Sequence, residues 1–506
     1  MVKYARNKKI LYQNIFAKGE NSIMKKLFAI MMMICLLASA FTLTAFAADA
    51  PADGVAIRVS AQLMDGTTVV IEDYKSHADG WNAAMQLATD AKTLSQNGYA
   101  CVVVDLYTDW ESLKGGYFVH GTGHPGFLEN TICVPEDVTV ILNMNGHTIN
   151  RNLDECTFNG EVIYVDENAT IEINDGTITG GFSENGAGGI HIKEGAHVTL
   201  NNVNVDGNRI LMDDGGGIAV YEATLIMNGG SVSDNICGSS FLVVCYGGAV
   251  YAEDSTVILN DVSIRNNQAS TIFEAMGVAI YADNSDITLN NCDVSDNGHY
   301  NEDKNAGAYS VVHIDKKSTF TANNTNFSNN GAHLYISTIK SPGQRFPDAL
   351  FDIRGGECYL TDCTFSNNNS VELFTINGGK LKVVDSTFTD NNSAVFYGYC
   401  SEGKGSAFVR CTFKNNETEN ETFNFSSTSN ELTFTSCELN QSTFKNKNYA
   451  NFVDYAIAPI GSLFGEGSLT MIIALMALVA AISSLGINIS SNKKKNSDHL
   501  NENQSE

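Results

Sequence analysis

Asp213 and Asp214, standing before Gly215, are the one paired-carboxylate string within the repeats that could divide into acid and base. Two carboxyls cleave a glycosidic bond only when their surroundings separate their proton affinities. A turn before a Gly-rich bend keeps both in water, so a solvated turn is the expectation here. His191 and His197 have no third ligand spaced to join them, and no metal centre is expected. Glu253-Asp254 and Asp283-Asn284 are acidic turns, but the calcium nonapeptide GGxGxDxUx is absent, and they read as solubilising surface. No catalytic residue, metal ligand or cofactor is expected. The remaining signal is aromatic. Phe241, Tyr300, Tyr335 and Phe346, the last beside Arg345, fall in segments inserted between repeats at 236–246, 298–310 and 331–349, with a further insertion at 269–276. Such side chains suit sugar or protein recognition, and these five are the candidate ligand-binding residues. The competing expectation is that they pack as plugs over the chain beneath them.

What must position these residues is a repeat. GGIHIKEGAHVTLNNVNVDGN (188–208) is followed by GGIAVYEATLIMNGGSVSDN (216–235), GGAVYAEDSTVILNDVSIRNN (247–267) and GVAIYADNSDITLNNCDVSDN (277–297). An apolar-x-x-Asn mark recurs at Asn152, Asn208, Asn235, Asn267, Asn297, Asn330, Asn368, Asn391 and Asn416, with Gly181 in the equivalent place, at steps of 23–38 residues. Alternation in Val198-Thr199-Leu200, Val257-Ile258-Leu259 and Leu381-Lys382-Val383 means strands buried on one face. Strands this short enclose a core only when stacked coil on coil, which predicts a right-handed parallel β-helix solenoid of about eleven coils. In such a stack the recurrent Asn forms an amide ladder, and Asn also tolerates left-handed turns. Phe327, Phe365, Phe388 and Phe413, three before the mark, predict an inward aromatic stack. Cys292, Cys363, Cys411 and Cys437 are expected to be small inward-facing residues. Asp79 or Ser76 is placed to cap a helix whose stripe is Trp81, Ala84, Met85 and Ala88.

The chain has 506 residues, 43% of them hydrophobic, and a formal charge of −26, which argues against a nucleic-acid partner. Lys25-Lys26, the apolar run to Leu43 and Ala45-Phe46-Ala47 form a signal peptide with its cleavage site. The residues before Met24 look like an over-long leader or a misplaced start. Removing 1–47 takes away seven positive and one negative side chain, leaving 24 − 56 = −32. Leu469 to Ile489 is uncharged and long enough for one bilayer crossing, and Lys493-Lys494-Lys495 keep its far end cytoplasmic. The expected organisation is a signal peptide at 1–47, an N-terminal cap at 48–137 and an all-β solenoid at 138–445. A C-terminal cap or linker at 446–468, a transmembrane helix at 469–489 and a cytoplasmic tail at 490–506 complete it.

The repeat resembles the right-handed β-helices of the pectin-lyase-like superfamily over about 138–439. GGAV (247–250) and FSNN, FTDN and FKNN at Phe365, Phe388 and Phe413 are similar to the GGA[IVL] and FxxN repeats of chlamydial polymorphic outer-membrane proteins. Val134 to Arg151 resembles the opening coil of β-helix surface proteins of Gram-positive gut bacteria. Here a membrane helix stands where the chlamydial proteins have an autotransporter barrel. The resemblance implies an adhesin or carbohydrate- or protein-binding module on a monoderm cell surface, with a glycan or a host or neighbour-cell surface protein as partner. The enzymes of the superfamily imply the alternative, a polysaccharide lyase or glycoside hydrolase. Their GHG and RIK motifs are missing; Asn145-Gly146-His147-Thr148 and His191-Ile192-Lys193 are the nearest strings.

Overall fold

The computed structural model describes residues 53–453 with breaks at 91–93, 95–96, 112–130, 239–243, 270–274, 300–309, 332–348, 371, 392, 400–404, 415, 417–422, 426–431 and 440–450. The chain divides into two units after Asp53, and the β-structure belongs to the second, which begins at Gly54. The leader at 1–47, the apolar segment at 469–489 and the tail lie outside the described residues. Among the described residues no helix is long and apolar enough to cross a membrane.

The fold is all-β and mostly parallel. One coil shows the path. Val250–Glu253 belongs to an eleven-stranded back sheet, Thr256–Asn260 and Ser263–Arg265 to the two limbs of a 24-stranded front sheet, and Gln268–Ala269 to a five-stranded edge sheet. The next coil repeats this with Ile280–Asp283, Asp286–Asn290, Asp293–Ser295 and Gly298–His299, each strand pairing in parallel with its predecessor. Register places inward residue on inward residue: Val250 on Ile280, Val257 on Ile287, Ile264 on Val294. Stacked parallel strands of this kind fit a β-helix solenoid, and the eleven strands of the back sheet match the coil number expected from the repeat.

Each corner has its own device. A left-handed residue, mostly Asp, Asn or Gly, ends the back strand (Asp254, φ 50°; Asn284, φ 47°), another joins the limbs (Asp261, φ 57°; Asn291, φ 55°), and a third precedes the recurrent Asn (Asn266, φ 54°; Asp296, φ 57°). The left-handed turn therefore falls one residue before the ladder position, not on it. This frees the Asn side chain to point inward. From Asn235 to Asn416 each ladder Asn receives its neighbour's backbone N–H and side-chain amide on its Oδ1 at 2.7–3.3 Å, and Asn208 accepts the Gly181 N–H at 3.0 Å. Its own Nδ2 also donates to a carbonyl of the preceding coil, as Asn267 does to Val232 at 2.9 Å. Asn152 departs from the expectation. It is exposed and itself left-handed (φ 52°), and the buried side chain in that first coil is its neighbour Arg151. The glycine pairs have a separate cause: a Cβ on Gly216 would collide with the carbonyl oxygen of Gly248 in the next coil.

The core changes along the stack. Early coils fill it with Val, Ile and Leu. Later ones stack Phe327, Phe365, Phe388 and Phe413 nearly parallel, with centroids 5.1, 4.5 and 4.7 Å apart. Cys292, Cys363 and Cys411 are buried as expected of small core residues, and Cys437 is half-buried.

The N-terminal end is closed by strands β1 (Ile57–Leu63), β2 (Thr68–Tyr74) and β3 (Tyr99–Leu106) with helix α1 (His77–Thr89). β1 pairs antiparallel with both β2 and β3, and β3 joins the front sheet in parallel at Thr139–Asn143. Ser76 caps α1 by accepting the Asp79 N–H, and Trp81, Ala84, Met85 and Ala88 form its buried stripe. Trp81 Nε1 donates to the Cys133 carbonyl at 3.1 Å, docking the cap on the first back strand.

Candidate functional site

Phe241, Tyr300, Tyr335, Arg345 and Phe346 lie outside the described residues, but the stems that carry their segments are described. Arg209–Ile210, Ile236–Cys237, Gln268–Ala269 and Gly298–His299 pair in parallel one above the other, so the insertions leave from one edge of the stack. Gly331 continues the column, its N–H donating to the Asn297 carbonyl at 3.1 Å. Two returning stems, Cys245–Tyr246 and Ala275–Met276, also pair in parallel. A disulfide between Cys237 and Cys245 closes the base of the first insertion. Ile210, Cys237, Cys245, Ala269, Ala275 and Val278 form a small second core there.

The returning stems pack against the outward face of the back sheet. Along that face runs an aromatic seam from coil to coil: Tyr164, His191, Tyr221, Tyr251, Tyr281 and His313, with centroids 4.8–5.4 Å apart. Tyr246 from a returning stem stacks on Tyr281 at 4.6 Å. Tyr251, Tyr281 and His313 are buried, so this part of the seam joins stem to sheet and is no open platform. Tyr164, His191 and Tyr221 keep partial exposure. Burial, with a smaller contribution from Lys193, pushes the His191 imidazole down to about 3, so it is neutral at neutral pH.

Asp213 and Asp214 border the seam, and they are not the freely solvated pair expected from sequence. Asp213 accepts the Gly186 N–H at 2.8 Å and Asp214 accepts the Tyr246 N–H at 3.0 Å, so the two carboxyls anchor neighbouring segments. Both are half-buried. Burial first, then the charges of Asp213 and Glu253, push the Asp214 carboxyl up to about 7 against the opposing Tyr246 N–H. Glu253 accepts the Tyr251 hydroxyl at 3.1 Å. A carboxyl poised near neutrality beside a second one is what acid–base chemistry needs, and it is also what crowded anions produce without chemistry.

Further along the seam Asp352 is buried, 3.3 Å from His313 Nδ1 and 3.0 Å from the Arg354 guanidinium. Burial raises its carboxyl, but the His313 and Arg354 contacts outweigh that and hold it below the usual range. Thr375 Oγ1, in the next coil, is buried with no hydrogen-bond partner among the described residues. Sequence reasoning singles out neither residue. Their strands read only as alternation, and an outward polar residue at one place of such a strand looks like surface.

His191 and His197 do not converge: His191 lies in the seam and His197 is exposed at the start of a front-sheet strand. Among the described residues no group of three His, Cys, Asp or Glu side chains is arranged to hold a metal. Asp254 and Asn284 bond each other directly as adjacent turn residues. No family model, curated protein or solved structure matches the chain.

Proposed function

We propose that the chain is a membrane-anchored extracellular surface protein whose β-helix, right-handed by the rule for parallel crossovers, presents a row of inserted loops for adhesion. It would belong with the pectin-lyase-like β-helices in architecture, and its partner would be a glycan or a host or neighbour-cell surface protein. The observation that carries this reading is the column of loop stems. Successive coils release segments of unequal length from the same edge, and of the two carboxyls bordering them Asp214 holds a returning stem at Tyr246 while Asp213 holds Gly186. Variable segments on a rigid, repetitive support suit recognition of a surface more than turnover of a small substrate. The Cys237–Cys245 disulfide suits an oxidising compartment outside the cytoplasm. Full-length protein in detergent micelles, applied to glycan and surface-protein arrays, is expected to bind a narrow set of ligands. Combined replacement of Phe241, Tyr300, Tyr335, Arg345 and Phe346 by Ala should abolish that binding. Retention of full binding by this variant would refute the loop assignment.

One observation favours the second reading, a glycoside hydrolase or lyase: Asp214 titrates near neutrality beside Asp213 and Glu253. That reading predicts release of products from acidic polysaccharides, lost in both Asp213→Asn and Asp214→Asn. Absence of products over a broad panel of glycans would leave the adhesive reading alone.

A further inference from the structure

We propose that Cys411 and Cys437 are a disulfide-forming pair that joins two consecutive coils near the C-terminal end of the described stack. Both occupy the corner that follows a left-handed residue, Arg410 (φ 52°) in one coil and Ser436 (φ 55°) in the next. The strands just beyond them are in register, Thr412 facing Glu438, so the two cysteines stand one directly above the other. Coil spacing in a parallel stack is about 4.8 Å, inside the span a disulfide bridges between Cα atoms. Elsewhere in this column the side chains are mixed. Cys292 lies below Thr325 and Cys363 below Ser386, and in each case the hydroxyl oxygen accepts the N–H of the cysteine at 3.4 and 3.1 Å. Among the described residues only Cys411 and Cys437 place thiol on thiol in this column.

Their inequality sets the order of events. Cys411 is buried, and Cys437 is half-buried. The partly exposed Cys437 is therefore the thiol an outside disulfide can reach first, while burial raises the Cys411 thiol and keeps it protonated until the pair closes. Cys437 as thiolate attacks a sulfur of a small or protein disulfide outside the cytoplasm and expels one thiolate, which takes up a proton. Cys411 then gives up its proton, attacks the Cys437 sulfur of the mixed disulfide, and expels the second thiol. Two S–H bonds are lost, one S–S bond forms, and the oxidant disulfide is reduced to two thiols. Oxidation in the cell rests on the export reading; the pairing itself rests on register.

The test uses full-length protein purified without reductant, half of it incubated with glutathione disulfide. Free thiols are alkylated and the protein digested unreduced. The expected product is a cross-linked peptide pair containing Cys411 and Cys437, with a thermal midpoint several degrees above that of the reduced protein. In Cys411→Ser, which installs the residue carried at Ser386, that midpoint shift should vanish and Cys437 should be recovered as a glutathione adduct. Recovery of both cysteines alkylated, or each glutathionylated, after incubation overturns the proposal. Cross-linking only after incubation, with Cys237 and Cys245 also reduced in cell-derived protein, keeps the pair and removes the export reading instead.

Discussion

Asp214 illustrates how one side chain is shaped by its neighbours. Its folded carboxyl sits at about 7, above the ordinary 3.8, so between those values the folded state holds a proton that the unfolded chain releases. The folded state is thus favoured fully below about pH 4, and that advantage is lost as pH rises through 7. Asp214→Asn should match the parent at pH 4 and exceed it at pH 8. The gain should be on the order of 1–2 kcal/mol, the partial exposure of the group having reduced the full linkage value. Thermal melts of parent and variant across that range measure it, and a variant no more stable than the parent at pH 8 would contradict the sign. Thr375 gives a simpler case, because its buried hydroxyl has no partner among the described residues. Thr375→Val keeps the shape and should be neutral or stabilising by about 1 kcal/mol in denaturant unfolding. Asn330 is the opposite. Its Oδ1 accepts from Asn297 and its Nδ2 donates to Val294 and Asn368, so Asn330→Leu strands buried groups in both neighbouring coils. A cost of at least about 1–3 kcal/mol is expected, and unchanged stability would count against the ladder.

At the scale of elements, the parts visible in sequence are those repeated often enough for one corner to calibrate another. The apolar-x-x-Asn mark reveals the inner ladder, and the i, i+3, i+4, i+7 stripe reveals α1 with Ser76 as its cap. A second amide ladder is equally regular but escapes a reading of the sequence: Asn143, Asn174, Asn201, Asn228, Asn260, Asn290 and Asn323 link side chain to side chain at 2.8–3.0 Å. These residues end each first limb on its outward face, where polar alternation looks like ordinary surface. β1 and β2 escape it because they lie outside the repeat and pair antiparallel. The aromatic seam escapes it because His191, Tyr221 and Tyr251 are one outward residue per coil, and only stacking makes them neighbours. β2 also leaves a liability. Val69, Val70 and Ile71 are exposed on the outer strand of the cap, a template for edge pairing. Val70→Lys should therefore lower self-association in sedimentation without lowering the melting temperature. Equal self-association in parent and variant would mean that this edge is not sticky.

For the whole unit, stability lies in contacts that run from coil to coil. Each described coil is held by its neighbours above and below through parallel strands, ladder amides and stacked rings, and the insertion stems join in through their own parallel pairs and the Tyr246–Tyr281 stack. The longest insertion shows the consequence. Gly331 bonds the Asn297 carbonyl below, Asn369 bonds the Asn330 carbonyl above, and Ala349–Ile353 pairs with strands on both sides, so both stems remain fixed whatever joins them. A cut between 331 and 349 would then remove a connection without removing a coil. A protease site placed there should be cleaved in the folded protein, and the two fragments should remain one particle in size-exclusion chromatography. They should share one unfolding transition within a few degrees of the uncut chain, because added loop freedom costs little once the stems are paired. Separation of the fragments under native conditions would show that the loop itself holds the coils together. The architecture would then be unable to vary its loops freely, and the adhesive reading would lose its physical basis.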